Sequence, residues 1–246
     1  MPNQKILTLD NLSLQELQSD AELIPLLTPE DEEEMNNEAL PSDLPILPLR
    51  NTVLFPGVVI PITAGRDKSI KLINDANAAG KVIGVVSQID ESVEEPTPAD
   101  VHHIGTVAQI IRVLKMPDGN ITVILQGKKR FEIDAFTQEE PYLKATIKEF
   151  NETRPRKTDV EFNAIVDSIK DLAIEIIKES PNIPTEATFA IKNIESSPFL
   201  INFVSSNMNL SVSDKQGLLS INNLKDRALE TLRFMNLEMQ KLELKN

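Results

Sequence analysis

The sequence predicts an α+β protein with a β-rich first half and a helical second half. Between residues 44 and 150 the apolar side chains alternate with polar ones or form short compact runs, as in half-buried and buried strands. Between Phe162 and Leu242 they recur every three or four residues, which is the period of an amphipathic helix. The polar stretch NETRPRK, Asn151 to Lys157, lies where the period changes. We therefore expect two folded units, over residues 44–152 and 153–246.

The β-rich half begins with LPILPLRNTVLFPGVVIPI, residues 44–62, which combines prolines with many large apolar side chains. A stiff solvated linker would carry polar side chains instead, so this stretch belongs to a core. Proline cannot donate to a ladder, which places Pro45, Pro48 and Pro61 at strand ends or on an edge strand. Pro56-Gly57 has the order that a type II turn requires. We expect two β segments, 45–50 and 58–63, folded back on each other across this turn.

The following elements alternate between compact apolar runs and turn residues. Ile70 to Ala79 has one apolar helical face, and Gly80 behind it supplies a C-terminal stop. KVIGVVSQ reads as a buried strand, and the segment after it, rich in Glu and Pro, as an acidic loop. Two long β-rich runs flank Pro117-Asp118-Gly119-Asn120, which predicts a hairpin. These β segments are expected over 81–88, 104–116, 121–133 and 142–150.

The helical half contains several shorter patterns and one long one. A stripe that starts at Phe162 predicts a helix to about Glu179. Ser197 and Pro198 indicate the cap and first position of a short helix, and Ser213 to Gln216 has capping-box spacing. The last stripe, Leu224 to Leu242, is still periodic near the final residue, so we expect the helix to continue in a longer protein. Helices are thus predicted near 162–179, 185–194, 198–205 and 224–242.

Residues 1–43 are expected to form an acidic, flexible extension. The formal net charge is -13, and residues 1–50 carry 11 acidic and 2 basic side chains. Asp31-Glu32-Glu33-Glu34 lies among scattered prolines, where like charges repel and little apolar surface favours ordering. Recognition of a partner by this segment is the alternative interpretation.

Composition excludes several classes of function. The chain has no cysteine, so disulfides, thiolate zinc sites and cysteine nucleophiles are absent, which fits a reducing, cytoplasmic setting. No basic segment with an apolar run behind it opens the chain, and no apolar run is long enough for a membrane span. An acidic chain with nine Phe, one Tyr and no Trp argues against a nucleic-acid surface.

No catalytic, cofactor-binding or metal-ligating set is expected. Gly127-Lys128-Lys129 lacks the first glycine and the hydroxyl residue of a P-loop. The adjacent His102 and His103 would point to opposite faces of a strand and cannot easily share an ion. No GxSxG context marks a serine nucleophile, and the acidic pairs at 94–95 and 139–140 are interpreted as solvated loop charges.

Several stretches closely resemble the N-terminal domain of Lon, the ATP-dependent serine protease family. They are LPLRNTVLFPGVVIPI, GRDKSIKLI, IGVVSQID and HIGTVAQIIRVLKMPDGNITVILQGKKRFEI, in this order and spacing. The resemblance is strong over residues 44–150 and looser to 246. It implies a PUA-like β-barrel, then a helical bundle whose long last helix leads to an AAA+ ring and a Ser/Lys protease domain. No position here matches the nucleotide site or the dyad, so the fragment itself is expected to be no enzyme, and ATP and Mg belong to the parent protein.

The resemblance implies a non-catalytic module for substrate recognition and assembly. Its partners would be unfolded or damaged polypeptides and, within a homohexameric parent, other copies of itself. We expect apolar side chains on loops to contact such clients. The candidates are the turn residues Leu54, Phe55 and Pro56 and the hairpin residues Met116 and Pro117, with core packing as the alternative for Leu54 and Phe55.

Two other functions are compatible with the sequence. A free-standing Lon-N-like adaptor would bind protein without an attached protease, and the length of the reading frame discriminates it. An RNA-binding PUA-like module would form a salt-sensitive RNA complex. The basic clusters at residues 128–130 and 154–157 are the candidate phosphate contacts for that alternative, although no aromatic residue is interleaved for stacking.

Overall fold

The structure, a computed structural model, describes residues 27–184 and 186–246. These residues form two compact units, one of residues 34–150 and the other of residues 27–33 with 151–246. The first contains six strands of one sheet and a helix, and the second is helical. The α+β prediction is confirmed.

The strands of the first unit close into a barrel. Around the ring the order is β5-β4-β3-β1-β6, and β6 pairs again with β5. β2 lies outside this ring and, among the described residues, pairs with β5 alone. The elements are β1 (Asp43–Leu49), β2 (Val59–Ala64), α2 (Asp67–Ala78), β3 (Val82–Ser87), β4 (Ile104–Lys115), β5 (Ile121–Gln138) and β6 (Lys144–Glu149), numbered after a first helix α1 (Pro29–Asn37).

The length and irregularity of β5 make this closure possible. Its first part pairs with β2 and β4, and its last part, from Phe131 onward, pairs with β6. Register shifts interrupt both the β4–β5 and the β5–β6 ladders. Such bulges bend a strand and increase its twist, which lets one 18-residue strand serve two sides of a barrel.

The turn after β1 forms as predicted, but the strands on its two sides do not pair. Gly57 has a φ of 79°, and the Val58 amide donates to the Phe55 carbonyl at 3.2 Å. β1 instead pairs in parallel with β3 and antiparallel with β6, while β2 pairs with β5. The predicted hairpin was wrong because the chain leaves the turn along β5, where Gly57 N–H donates to the Gly127 carbonyl. Pro61 lies on the outermost strand, as its missing N–H requires.

Five helices make up most of the second unit. Four of these helices have an N-cap residue whose side chain accepts a hydrogen bond from the backbone N–H three residues later, the usual arrangement. Two caps differ from the prediction: Ser196, not Ser197, caps the helix before Phe199, and Ser211, not Ser213, caps the next. The helices are α3 (Val160–Glu179), α4 (Glu186–Asn193), α5 (Ser197–Asn207), α6 (Val212–Leu219) and α7 (Leu224–Lys245), and α3 packs along α7.

Part of the predicted flexible extension is helical. Residues 1–26 lie outside the described part of the chain, but the acidic run forms α1. Thr28 starts it: the Asp31 amide donates to Thr28 Oγ1, and the Thr28 amide donates to the Asp31 carboxylate. Acidic side chains in a first turn also favour the helix dipole. This helix was not predicted from the sequence.

None of the helices in the described ranges is both long and apolar enough to cross a lipid bilayer.

Candidate functional site

The first predicted contact, the apolar turn of Leu54, Phe55 and Pro56, is buried. Leu54 is 2% exposed and Phe55 is fully buried, and Pro56 is buried as well. Leu54 belongs to the larger apolar core of the barrel unit, together with residues of β3, β4 and β5. The predicted client contact required these side chains to be exposed. They pack in the core of the barrel unit instead.

Backbone contacts hold this turn against the barrel. The hydroxyl of Thr106, on β4, donates to the Leu54 carbonyl at 2.7 Å, and that of Ser87, on β3, donates to the Thr52 carbonyl at 2.7 Å. Gly127 leaves the space that the turn needs, because a Cβ there would lie 2.3 Å from the Phe55 carbonyl oxygen. The segment is thus a built-in part of the barrel wall.

The second predicted contact, the tip of the β4–β5 hairpin, is accessible. Pro117 is exposed and Met116 is half-buried. The Gly119 amide donates to the Met116 carbonyl at 3.1 Å, and Gly119 has a φ of 88°. The Asp118 carboxylate accepts the Asn120 amide at 3.0 Å, which fixes the turn. The tip presents its apolar atoms on a backbone held by these hydrogen bonds, and a preorganised contact costs less entropy on binding.

A large aliphatic side chain of the barrel unit is also exposed, at the start of the acidic loop after β3. Ile89 is 61% exposed. The loop behind it is held by Gln88, whose amide group donates to the carbonyls of Asp90 and Val93 and accepts from Arg66. Arg66 also donates to the Glu94 carbonyl at 2.9 Å, so the arginine of the GRxxSI motif clamps the loop.

The charges beside this loop are mostly paired. The Lys68 ammonium donates to Glu140 at 2.6 Å, and this hydrogen bond raises the pKa of Lys68. Burial, together with the nearby Arg50, lowers the pKa of Arg66. Glu95 and Glu139 also attract Lys68, which leaves an acidic excess around a single lysine.

In the helical unit, Phe189 is the large apolar side chain that the sequence reasoning missed. It is 72% exposed and lies on α4, after the exposed Ile183 and Pro184. The signal was in the pattern: Ala187, Ala190, Ile191 and Ile194 share one helical face, and Ile191 and Ile194 are buried. Phe189 falls on the opposite face, so the helix that buries Ile191 turns the phenyl ring outward.

The outer face of α7 carries three more exposed leucines, Leu229, Leu237 and Leu244. They are separated by eight and seven residues and so lie roughly along one side of the helix. Ala228, Thr231 and Met235 occupy the other side and are buried. α7 therefore has two faces with apolar side chains. The face with Ala228 and Met235 is packed against other described residues, and the face with the three leucines is exposed.

Lys129, Arg130 and Arg154, three residues of the basic clusters considered for a phosphate backbone, are engaged within their own units. Lys129 donates to Glu149 at 2.6 Å and to the Glu38 carbonyl. Arg130 is buried, with its guanidinium over the Phe150 ring. Arg154 is held by two glutamates. Arg156 and Lys157 of the second cluster, in contrast, are exposed.

Within residues 27–184 and 186–246, no group of three or more histidines and acidic residues is placed to hold a metal ion. Burial and the neighbouring His103 lower the pKa of His102. His103 instead packs edge-on against Phe136.

Comparison with known proteins gives a consistent family. Residues 43–237 match the family described as the ATP-dependent protease La (LON) substrate-binding domain. A Lon protease of Flavobacterium johnsoniae is 78% identical over all 246 residues, which make up 30% of that protein. A Lon protease of Cytophaga hutchinsonii is 46% identical over 224 residues, 91% of this chain and 28% of that protein. The chain thus spans somewhat under a third of the length of these relatives.

Two solved structures share the fold. The N-terminal domain of a Mycobacterium avium complex Lon protease has a TM-score of 0.64 at 19% identity and covers 79% of this chain and 98% of its own. A Lon N-terminal domain protein from Xanthomonas campestris has a TM-score of 0.55 at 16% identity and covers 79% and 99%. With a family match over most of its length and this shared architecture, the chain belongs to the Lon substrate-binding domain family.

Proposed function

We propose that this chain is the substrate-recognition module of an ATP-dependent Lon protease and that it binds unfolded or damaged polypeptide without catalysing a reaction itself. The observation that carries the proposal is the match of residues 43–237 to the family's substrate-binding domain. The exposed apolar side chains described above offer contacts for such polypeptides. Neither a free-standing adaptor nor an RNA-binding module is favoured by the relatives.

The proposed client contacts are the hairpin tip of Met116 and Pro117 and the outward face of α4 at Phe189. Unfolded chains differ from folded ones in exposing apolar side chains, and small apolar contacts recognise them without requiring a sequence. Binding at one such contact is weak, with a dissociation constant of roughly micromolar or above, because the client loses conformational entropy on docking.

The parent assembly supplies what the chain lacks. In the proposed whole protein, ATP and Mg serve an AAA+ ring, a Ser/Lys dyad cleaves the client, and six copies form a cytoplasmic homohexamer. Several copies of a weak binding module act on one long client together, so avidity raises the overall affinity.

The test is a fluorescence titration of a labelled, permanently unfolded protein with the 246-residue chain, at low and at high salt. We expect saturable binding. The apolar contribution to the affinity should persist at high salt, whereas the preference for basic clients that the net charge of -13 produces should decrease. Absence of binding at hundreds of micromolar would refute recognition by this chain. A parallel titration with labelled RNA tests the rival function, which predicts tight binding at low salt.

Variants locate the surface. We expect Phe189→Ser and Met116→Ser each to weaken binding several-fold while the melting temperature stays near that of the parent. Val160→Ser is the matched control, because Val160 is at least as exposed as Phe189 but is the first residue of α3 and belongs to neither proposed contact. An equal loss in all three variants would show diffuse apolar adhesion instead of these two contacts.

A further inference from the structure

Glu32, in the middle of the acidic run, is buried. It is 5% exposed, whereas Glu33 and Glu34 beside it are exposed. A carboxylate is almost never buried unless it is paired, because taking the charge out of water is costly. The position of Glu32 therefore depends on its partner.

That partner is Arg154, 122 residues further along the chain. The two Glu32 oxygens accept from Arg154 Nη1 and Nη2 at 2.8 and 2.5 Å, a bidentate geometry that is stronger than a single contact. Arg154 Nε and Nη2 also donate to Glu152 Oε2 at 3.0 and 2.9 Å. Burial acts to lower the pKa of Arg154, but the bonds to Glu32 and the charge of Glu152 raise it overall.

From Glu152 the network continues to the long helix. Glu152 Oε1 accepts from Arg227 Nη2 at 2.8 Å, and Arg227 Nη1 donates to Asn202 of α5. The Arg227 side chain, in the first turn of α7, is 1% exposed. Thr153 fixes the backbone at the same place, because its carbonyl accepts the Leu224 amide at 2.9 Å. Two carboxylates and two guanidinium groups thus balance one another beneath the start of α7.

Removal of Glu32 would upset this balance. Glu152 would remain as the one carboxylate shared by two guanidinium groups, one of them almost fully enclosed. Breaking a buried ion pair on one side costs more than never forming it, since the remaining charge stays desolvated. The burial of Arg227 at the base of α7 therefore depends on a residue from the acidic segment.

The segment that provides Glu32 lies outside the region matched to the family, which begins at residue 43. Its helix is nevertheless specified locally, by the reciprocal hydrogen bonds of Thr28 and Asp31 and by the buried Leu27 before them. A solvated tail would need none of these contacts.

We propose that residues 27–33 are a strap of the helical unit, which latches the first turns of α7 through Glu32, Arg154, Glu152 and Arg227. While the strap is docked, the first turns of α7 are held by the network. When the strap detaches, Arg154 and Arg227 keep only one of the two carboxylates that balance their charge. The first turns of α7 are then held less firmly. The acidic segment is then a conformational latch on the long helix.

The first test uses hydrogen exchange on the unaltered 246-residue chain. A docked strap predicts that the amides of Glu32 and Glu33 are protected to within about tenfold of those of residues 228–231, because the latch and the helix open together. If the α1 amides exchange more than about a hundredfold faster, the segment opens on its own and the proposal fails. This result does not depend on any variant folding.

The second test compares Glu32→Gln with Glu33→Gln, which neutralises the adjacent exposed carboxylate. We expect Glu32→Gln to lower the melting temperature by several degrees and to speed exchange at residues 228–231 at least about tenfold, while Glu33→Gln stays near the parent. Equal behaviour of the two variants would overturn the proposal.

A double-mutant cycle of Glu32→Gln and Arg154→Gln isolates the pair itself. Each single variant raises the equilibrium constant for unfolding by some factor. If the two residues are coupled, the factor for the double variant is at least about tenfold smaller than the product of the two single factors. Effects that simply multiply would show that the two residues are not coupled and would contradict the latch.

Discussion

Gly119 has a φ of 88° at the tip of the β4–β5 hairpin, whereas Gly217 lies exposed within α6, and neither has an atom close to where a Cβ would stand. Steric space therefore does not distinguish them, and backbone conformation does. We predict that Gly119→Ala destabilises the chain by about 1–2 kcal/mol through left-handed strain. Gly217→Ala should instead stabilise it by up to about 1 kcal/mol, the helix-propensity difference. Urea unfolding measures both, and shifts of the same sign would contradict the assigned turn.

Glu238 on α7 gives a pH-dependent prediction. Among the described residues its buried Oε2 atom has no hydrogen-bond partner, and burial raises the pKa of the carboxyl group, against a smaller opposing effect of the Asn209 amide. A raised folded pKa means that the unfolded chain ionises first as pH increases, so folding loses stability from about pH 4.5 up to the folded pKa. Glu238→Gln removes this loss.

The melting temperature of Glu238→Gln relative to the parent chain should therefore increase between about pH 4 and about pH 7.5. Thermal melts of both proteins at the two pH values check it. A difference that is constant across this range would mean that the Glu238 carboxyl is not perturbed in the folded state.

Single residues also mark a limit of sequence-based prediction. The Pro56-Gly57 turn follows from local backbone preferences and was predicted correctly. For Leu54 and Phe55 beside it, the sequence left client contact and core packing open, because their position depends on Gly127, some seventy residues away, leaving room for the Phe55 carbonyl. Phe189 could have been found, since it lies off the apolar stripe of its own helix.

At the level of elements, the segment between β1 and β2 is part of the barrel core, which leads to a stability prediction. Phe55→Ala removes a fully buried phenyl ring and should cost about 3–5 kcal/mol. Met116→Ala at the half-buried hairpin tip should cost less than about half as much. Chemical unfolding of both variants decides this, and a similar small cost for the two would mean that Phe55 is not in the core.

Helices and hairpins of local origin were predicted more reliably than strand pairing. The β4–β5 hairpin and the long helices agree with the sequence because periodicity and turn residues specify them over short distances. The pairing of β1 with β3 and β6 is a tertiary choice that no local pattern encodes. α1 was missed for a related reason, since its charges indicate a solvated tail until Arg154 is placed against Glu32.

For the whole molecule, the family match supports the proposed role in substrate recognition. A closed barrel and a helical unit carry a few exposed apolar side chains, and no metal-binding cluster occurs among the described residues. Such surfaces suit clients that are recognised by what they expose and not by their sequence. The central claim is therefore discrimination between unfolded and folded forms of the same polypeptide.

The most direct measurement uses one disulfide-bonded protein in two forms, native and permanently unfolded by reduction and alkylation, each labelled and titrated with the 246-residue chain under identical conditions. We predict saturable binding of the unfolded form, with a dissociation constant of roughly micromolar or weaker, and affinity for the native form at least about tenfold lower. Because the two forms share a sequence, the difference reports exposed apolar surface alone. Equal affinity for both forms, or no binding of the unfolded form at hundreds of micromolar, would contradict the account.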